Sequence, residues 1–205
     1  MARTKEFDPD AALQSALELF WCRGYEATSM ADLVEHLGIA RASLYATFGS
    51  KRELYLRALE RYGQQQQPVL LTELSQPGPV LPAVRALVRR FADESAEDGV
   101  GGVGGARGPR GPRRGCFVTN TAVELAPHDQ DAARRVESSL LHLETVLTAA
   151  LVRARVQGEL PEGRDPQALA RMLLVLFQGM RVIGKAGDGA ARLRDAADQA
   201  LALLD

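Results

Sequence analysis

The chain contains 205 residues, of which 46% are hydrophobic and 25% are charged, and its formal net charge at pH 7 is −1. This length suits one all-helical domain, or a small domain and a larger one, and the near-zero charge excludes a global basic field that attracts nucleic acid. The two distant cysteines, Cys22 and Cys116, exclude a disulfide framework and suit a reducing cytoplasm.

Alanine and leucine dominate over the β-branched residues, a composition that favours helices, so we expect an all-α fold. No apolar run approaches the roughly 18 residues of a membrane span, and the sequence has no signal-peptide pattern. We therefore expect a cytoplasmic protein without a membrane partner.

The first helix is predicted to begin at Pro9 and to end near Gly24. Residues 1–7 are mostly polar and are expected to form a loose arm. Asp8 is a suitable N-cap, and proline is favoured at the first helical position. Apolar residues then recur at helical spacing, namely Leu13, Ala16, Leu17 and Phe20.

Two short helices separated by a glycine are predicted next. Ser29 to Leu37 has apolar residues at helical spacing, and Ser29 can cap it with Asp32 as a capping-box partner. Gly38 supplies the turn, because a helix commonly stops at a residue that tolerates positive φ. Arg41 to Thr47 forms the second helix. Two short helices joined by a tight turn indicate a helix-turn-helix.

A longer helix is predicted from Ser50, with a capping box between Ser50 and Glu53. Cations in its first turn oppose the helix dipole unless an anion lies beside them, and a phosphate would supply that anion. Pro68 is expected to close this helix, and the run Gln64 to Gln67 is interpreted as its solvated end. Residues 41–61 contain more cations than acidic residues, which indicates a local basic patch. The cations are Arg41, Lys51, Arg52, Arg57 and Arg61, and the acidic residues are Glu53 and Glu60.

Three runs at fixed separations carry a family resemblance: G-Y-x-x-T-S-M-x-D-L, L-G-I-x-R-x-S-L-Y-x-x-F and S-K-x-x-L-Y. Together they resemble the DNA-binding domain of the TetR family of bacterial transcriptional regulators, over about residues 11–62. Beyond that range the resemblance is much looser. One departure is Ala40, where the family often has serine or threonine. It removes an N-cap from the recognition helix, an effect of about 1 kcal/mol.

The resemblance implies a recognition helix that enters the major groove with its N-terminal half, where side chains meet base edges. Arg41 can donate to guanine or to a phosphate, and Ser43 can serve either strand. Tyr45 and Lys51 match phosphate-contacting positions of the family, although Tyr45 also suits core packing, the preferred interpretation for Phe48. The predicted DNA contacts are Thr28, Ser29, Arg41, Ala42, Ser43, Tyr45, Thr47 and Lys51.

The second part of the chain opens with an amphipathic helix that is predicted to end near Glu97. Residues 99–115 follow, with eight glycines, two prolines and four arginines. This composition is typical of a flexible linker. It is interpreted as a tolerated insertion between two helices, and the alternative is a cationic tether for DNA or another anionic partner.

A short helix is predicted in the segment CFVTNTAVE, residues 116–124. Its Thr and Asn residues in an apolar wall are of the kind that orients a small ligand, and similar segments occur in members of the resembled family. Cys116 is an alternative redox or electrophile sensor, because nearby arginines favour a thiolate. The predicted ligand-binding residues are Leu87, Phe91, Cys116, Thr119, Asn120, Val123, Leu143, Leu147 and Phe177.

Three further helices are predicted: His128 to Val156, one that begins at Pro166, and Ala191 to Leu204. The helix from Pro166 is apolar more than halfway around, so it must bury two faces. The resemblance implies that the last two helices pair with their copies in a four-helix dimer interface.

These patterns predict a helix-turn-helix DNA-binding domain with its linking helix at residues 1–62. A ligand-binding and dimerisation domain is predicted at residues 63–205. The expected function is a homodimeric repressor that binds a palindromic operator and is released by a small apolar effector, with no metal or cofactor. An enzyme that pairs Cys116 with His128 or His142 is a remote alternative, since no acid or oxyanion motif accompanies them. A ligand-free architectural DNA-binding protein is a third.

Overall fold

The computed structural model describes residues 7–97, 114–186 and 189–205. Within these ranges the chain forms nine helices, and the predicted all-α fold is confirmed. In chain order they are α1 Pro9–Arg23, α2 Met30–Leu37, α3 Arg41–Phe48, α4 Lys51–Leu74, α5 Leu81–Ala96, α6 Phe117–Glu124, α7 Gln130–Val156, α8 Pro166–Ala186 and α9 Ala190–Ala202.

The first three helices pack around the N-terminal half of α4. Asp8 caps α1 by accepting from the Asp10 backbone N–H, as the Asp-Pro pair predicts. The centre of this core is aromatic: the Phe20 ring meets the Tyr55 ring edge-on at 4.9 Å. Leu33 of α2 and Leu44 of α3 are buried against it, so the helix-turn-helix is held rigidly on α1 and α4.

The predicted caps of the helix-turn-helix are present. Ser29 and Asp32 form a reciprocal capping box at the start of α2, and Gly38 ends that helix in the left-handed region at φ 64°. Ala40 gives α3 no side-chain cap, as its methyl group dictates. The first backbone N–H groups of α3 therefore have no side-chain acceptor from the residue that precedes the helix.

The prediction that Pro68 closes α4 is wrong, because the helix continues to Leu74 with Pro68 inside it. Proline removes one backbone donor from the helix. Here both Pro68 and Gln64 are exposed, so water can satisfy the carbonyl that loses its partner. The predicted capping box at the start of α4 is only half formed. Ser50 accepts from the Glu53 backbone N–H, but the Glu53 carboxylate accepts from the Ser50 hydroxyl, at 3.3 Å, instead of from the Ser50 backbone N–H.

Helices α5, α7, α8 and α9 surround a second core, which contains Leu87, Leu147 and Phe177. The short helix α6 and the first turns of α7 pack on the first core, to which Phe117 and Val136 belong. Segments from the second half of the sequence thus complete the core around the helix-turn-helix. Helix α4 therefore belongs to both parts of the chain, and α6 packs one part against the other.

Part of the predicted linker 99–115 and most of the predicted arm 1–7 lie outside the described residues. Arg114, Gly115 and Phe7 are the described members of these segments. In the part of the chain that the structure describes, no helix combines the length and apolarity that crossing a membrane requires.

Candidate nucleic-acid interface and ligand cavity

Helix α3 exposes one face and buries the other. Leu44 and Phe48 are buried and fix the helix on the core, which confirms the packing interpretation of Phe48. Arg41 and Ala42 are exposed at its first turn. Tyr45 is 39% exposed one turn later. Such a short helix, anchored from behind, can present its N-terminal side chains to a groove of DNA.

Arg41 and Tyr45 lie together on the exposed face. The Arg41 guanidinium lies 5.6 Å from the centroid of the Tyr45 ring, and its Nη2 lies 3.5 Å from the Tyr45 hydroxyl. No carboxylate among the described residues pairs with Arg41. Ser43 and Thr47 are half-buried on the flanks. The face therefore offers a charged donor, a hydroxyl and small side chains.

The structure corrects the role predicted for the Thr28 side chain. Thr28 is fully buried, and its hydroxyl donates to the Gly24 carbonyl at 2.7 Å. It stabilises the turn before α2 and does not face a phosphate. Ser29 is exposed, but its hydroxyl donates to Asp32 at 2.5 Å and accepts from the Asp32 backbone at 3.1 Å.

The cations at the start of α4 find partners inside the protein. Lys51 donates to the Tyr25 carbonyl at 3.0 Å and lies 4.0 Å from the centroid of the Tyr25 ring. Arg52 donates to Asp129 through Nε and Nη2, and to Asp131 at 2.6 Å. The expectation that a phosphate is the anion beside these residues is thus wrong for Arg52.

The Arg52 pairs shift the protonation of both partners. Hydrogen bonds from the Arg52 guanidinium lower the pKa of the Asp129 carboxyl to about 2, and the Asp129 and Asp131 carboxylates raise the pKa of Arg52. Asp129 also caps α7 by accepting from the Asp131 and Ala132 backbones. The pair therefore joins the start of α4 to the start of α7.

The basic patch is smaller than the sequence predicts. Arg61 pairs with the Asp10 carboxylate at 2.6 Å, so Arg52 and Arg61 are both neutralised by carboxylates. Arg57 donates to the Thr47 carbonyl at 3.3 Å, which leaves its charge uncompensated. Arg41, Lys51 and Arg57 remain as the cations of this patch that lack a carboxylate partner within the described residues.

Helix α6 contacts the turn before the helix-turn-helix through its last residue, Glu124. The Glu124 carboxylate accepts from the Tyr25 backbone N–H at 2.9 Å and from the Glu26 backbone N–H at 2.8 Å. These two donors belong to the turn between α1 and α2. Gly24 makes the approach possible, because a Cβ there would lie 2.9 Å from both Glu124 carboxylate oxygens.

Three further contacts join α6, and the two residues before it, to the N-terminal core. The Tyr55 hydroxyl lies 2.9 Å from the Thr121 hydroxyl, and burial raises the pKa of Tyr55. The Trp21 indole N–H donates to the Gly115 carbonyl at 3.0 Å. The Tyr62 hydroxyl lies 3.9 Å from the Cys116 sulfur. These partners are 54 to 94 residues apart in the sequence, so no local pattern indicates them.

A cavity of about 130 Å³ lies between α4, α5, α6, α7 and α8. Its apolar walls include Leu70, Phe91 and Leu143. Its polar lining consists of Gln66, Gln67, Arg90, Glu94, Ser139, His142, Gln178 and Arg181. This mixture of apolar walls and a few polar groups is that of a site for a small organic molecule. Tyr62 and Val118 connect it to the N-terminal core.

The predicted ligand-binding residues fall into three groups. Phe91 and Leu143 line the cavity. Phe177 stacks on Phe91 from behind, with ring centroids 4.1 Å apart, and the Thr119 hydroxyl donates to Gln178 at 2.5 Å. The remaining five do not line it: Leu87 and Leu147 are buried in the second core, Val123 is 74% exposed, Asn120 bonds to the Arg114 carbonyl, and Cys116 meets Tyr62.

Most of the cavity's polar residues escape prediction from the sequence. Gln66 and Gln67 line it, so the interpretation of the glutamine run as a solvated helix end is wrong for these two residues. The sequence holds one indication that Gln66 is not solvated: Tyr62, an apolar residue four positions earlier, lies on the same helix face. In the sequence, Arg90 and Arg181 resemble ordinary surface residues. In the structure, ion pairs with Glu73 and Glu94 hold them at the cavity wall.

The structure gives Cys116 a tyrosine neighbour and no histidine among the described residues. His142 instead lines the cavity, and His128 is exposed. Among the described residues, no group of three or more histidine, cysteine or acidic side chains is arranged to hold a metal ion.

Comparison with known proteins links both halves of the chain to one family. A family model described as bacterial regulatory proteins, tetR family, matches residues 12–58, and one described as a tetracyclin repressor-like C-terminal domain matches residues 105–202. YezE of Bacillus subtilis (strain 168), described as an uncharacterized HTH-type transcriptional regulator, is 38% identical over the full length of both chains. The HTH-type transcriptional repressor ComR of Escherichia coli (strain K12) is 31% identical, over 98% of this chain and 90% of its own.

A solved structure shares the whole architecture. A cysteine mutant of the TetR family transcriptional regulator CifR, complexed with 26-bp double-strand operator DNA, superposes with a TM-score of 0.81. It is 27% identical to this chain, and the match covers all of both chains.

Proposed function

The chain belongs to the TetR family of DNA-binding transcriptional regulators, and on that premise we propose that it is a homodimeric repressor that a small effector releases from a palindromic operator. The exposed first turn of α3, anchored by Leu44 and Phe48, is the observation that carries this proposal. The operator complex of CifR and the repressor name of ComR support it.

In this proposal α3 reads the operator from the major groove. Arg41 donates to a guanine edge, and Ala42, Ser43 and Thr47 complete the contact with bases. Tyr45, Ser29 and Lys51 bind phosphates and set the register of the protein on the duplex. Lys51 keeps this role because its ammonium has donors beyond the one used for the Tyr25 carbonyl.

Release follows from the shared walls of the cavity. Helix α4 carries the DNA-binding head and also contributes Gln66, Gln67 and Leu70 to the cavity. Helix α6 contributes Val118 and holds the α1–α2 turn through Glu124. An effector that binds better when α4 and α6 have moved apart shifts the protein to a state whose heads no longer fit the operator.

Dimerisation is proposed through the last two helices. Val175, Val182 and Ile183 form an exposed apolar face along α8, and Val175 is 71% exposed. A face of this kind is costly in water and suits a symmetric contact with a second copy. The outer face of α9, in contrast, is mainly charged, with Arg192, Arg194, Asp195 and Asp198 exposed. The contribution of α8 is thus the larger.

We propose that residues 1–62 bind DNA and that residues 63–205 bind the effector and form the dimer. We also propose that the protein is cytoplasmic, because its operator lies in that compartment. The packing of α6 on the N-terminal core supports a close mechanical connection between the two parts.

Release by modification of Cys116 is the second candidate, and its position beside Tyr62, a wall residue of the cavity, favours it. An electrophile such as N-ethylmaleimide would bond to the sulfur as the thiol proton leaves. We expect treatment to abolish operator binding by the wild type and by Cys22→Ser, and to spare Cys116→Ser. Equal loss in all three proteins would contradict this route.

The proposed function is tested by the binding of the purified protein to DNA from beside its own gene. We expect one protected palindromic segment and an affinity that falls steeply with salt. Arg41→Ala should weaken binding to that segment by about 1–3 kcal/mol and relax the preference at one base pair of each half-site. Arg164→Ala, an exposed arginine remote from α3, is the matched control. Equal effects of the two substitutions would contradict the role of Arg41.

A further inference from the structure

A second hollow lies beside the cavity, between α4 and α7. It is an open groove of about 410 Å³, and we call it the outer groove. Gly63, Gln67 and Ser139 line both the outer groove and the cavity. The cavity, at about 130 Å³, is smaller than the roughly 300–1,000 Å³ of ligand sites. The cavity and the outer groove together fall within that range.

The wall shared by the two spaces consists of small groups and one movable side chain. Gly63 has no side chain, and the Ser139 hydroxyl is turned to its own helix, where it donates to the Arg135 carbonyl at 2.9 Å. The Gln67 amide lies over Gly63, because a Cβ on Gly63 would be 3.6 Å from Gln67 Nε2. Gln67 is only half-buried, so a change of its rotamer can join the outer groove to the cavity.

The charged side chains on the cavity wall are paired with one another. Arg90 donates to Glu73 at 2.6 and 2.7 Å, and Arg181 donates to Glu94 at 2.7 Å. A charged group that enters the cavity would lose its hydration and find its possible partners already occupied. The cavity therefore suits the apolar part of a ligand.

The outer groove differs because its two charges are unpaired. Glu60 lines it from α4 and Arg135 from α7. Among the described residues, the Glu60 carboxylate has no cationic partner and Arg135 has no acidic one. The Arg135 guanidinium donates to the Asp131 carbonyl at 3.5 Å, which leaves its charge uncompensated. One free carboxylate and one free guanidinium on opposite walls are the complement of a zwitterion.

We propose that the outer groove and the cavity together bind a zwitterion that carries one small apolar group. Its ammonium group lies beside Glu60, its anionic group lies beside Arg135, and its apolar group passes Gly63 into the cavity. A space of this size holds about six carbons, since a cavity of about 150 Å³ binds benzene. The inference deepens the proposed function, on which it rests only for its consequence: a ligand that joins α7 to α4 changes the position of the DNA-binding head that α4 carries.

The test uses three probes with the same hexyl chain on one carbon: 2-aminooctanoate, a zwitterion; 2-methyloctanoate, an anion; and octan-2-amine, a cation. Their binding to the full chain is measured by isothermal titration calorimetry at low salt and neutral pH. We expect the zwitterion to bind about threefold to tenfold more tightly than either singly charged probe, the gain of one partly exposed charge pair. Equal or tighter binding of a singly charged probe, or no binding of the zwitterion, would overturn the proposal.

Substitutions of the two unpaired charges assign the groups of the probe. Glu60→Gln should make the zwitterion bind no better than the anion, and Arg135→Gln should make it bind no better than the cation. Glu137→Gln, the same change at an exposed glutamate outside the outer groove, is the matched control and should keep the full preference. A preference for the zwitterion that survives both Glu60→Gln and Arg135→Gln would contradict the assignment.

A substitution of Gly63 tests whether the apolar group enters the cavity. Free alanine has the same zwitterionic head with a methyl group, and we expect 2-aminooctanoate to bind the wild type at least about tenfold more tightly. Gly63→Leu fills the passage and should remove this gain, while circular dichroism reports an intact helical fold. A gain from the hexyl chain that is unchanged in folded Gly63→Leu would place the chain elsewhere and overturn the proposal. If Gly63→Leu does not fold, the Glu60 and Arg135 substitutions decide.

Operator binding by the same preparations separates the two proposals. A wild-type protein that shows the expected probe order but binds no operator would overturn the proposed function and support the zwitterion site. A protein that binds its operator but prefers a singly charged probe would overturn the zwitterion site alone.

Discussion

The residue that best shows how charge is used in this chain is Asp129. It accepts from Arg52 and caps α7 at the same time. Both contacts need the ionised carboxylate or are strengthened by it. Asp129 thus joins α4 to the start of α7, and this contact between the two parts of the molecule depends on the protonation state of the Asp129 carboxylate.

Stability should therefore fall in acid through Asp129. Its pKa is about 2 in the folded chain, below the ordinary value of about 3.9. A lowered folded-state pKa means that the stabilisation is present above the ordinary value and is lost as the pH falls through about 4 to 2.

Asp129→Asn keeps an oxygen for the cap but removes the charge, and we expect it to lower the free energy of unfolding by about 1 kcal/mol at neutral pH. This modest figure reflects the exposure of Arg52 to screening solvent. Denaturant titrations of both proteins across this pH range should show the difference vanish near pH 2. A difference that does not depend on pH would show that the cap alone matters.

Among the elements, α6 makes the contact on which the proposed release from DNA depends most. Eight residues long, it reaches from the cavity wall at Val118 to the α1–α2 turn at Glu124. Both Glu124 oxygens accept a backbone N–H, so a small movement of α6 changes the support of the helix-turn-helix.

Glu124→Gln leaves one acceptor oxygen where there were two. We expect operator affinity to fall by about fivefold to tenfold, the loss of one net hydrogen bond to a charged acceptor. Fluorescence anisotropy with labelled operator measures the change. Glu162→Gln, at an exposed turn remote from the N-terminal core, is the control. An unchanged affinity in Glu124→Gln would show that α6 does not support the reading head.

Helix α8 carries the other testable surface. Val175 is the most exposed residue of the apolar face that it forms with Val182 and Ile183. Val175→Asp places a charge on each side of a symmetric contact, so we expect monomers at concentrations where the wild type is dimeric. Sedimentation velocity distinguishes the two states. Asp198→Val, which instead adds an apolar residue to the exposed face of α9, should leave a dimer through α8 intact. A dimeric Val175→Asp variant would contradict the interface.

At the scale of the whole molecule, local chemistry in the sequence accounts for the helices and their caps. The Asp8-Pro9 start, the Ser29–Asp32 capping box and the Gly38 turn follow from contacts within a few residues. Pro68 failed as a stop signal because an exposed carbonyl can turn to water, a condition that the sequence does not display.

The contacts that connect the two parts of the molecule were beyond prediction. The sequence predicts a phosphate beside Arg52, because the carboxylates that pair with it lie 77 and 79 residues later in the chain. Of the apolar residues predicted to bind a ligand, only Phe91 and Leu143 line the cavity. Packing, rather than periodicity, decides which apolar residues face a void, and for this reason the sequence does not distinguish these two from Leu87 and Leu147, which belong to the core.

In the proposed function, two copies of α3 read two half-sites at a fixed separation. The measurement is the affinity for the protected operator and for the same operator with about five base pairs, half a helical turn, inserted at its centre. We expect the insertion to lower the affinity by about a hundredfold or more, because one head then faces away from its half-site. An affinity that the insertion leaves unchanged would contradict binding as a rigid symmetric dimer.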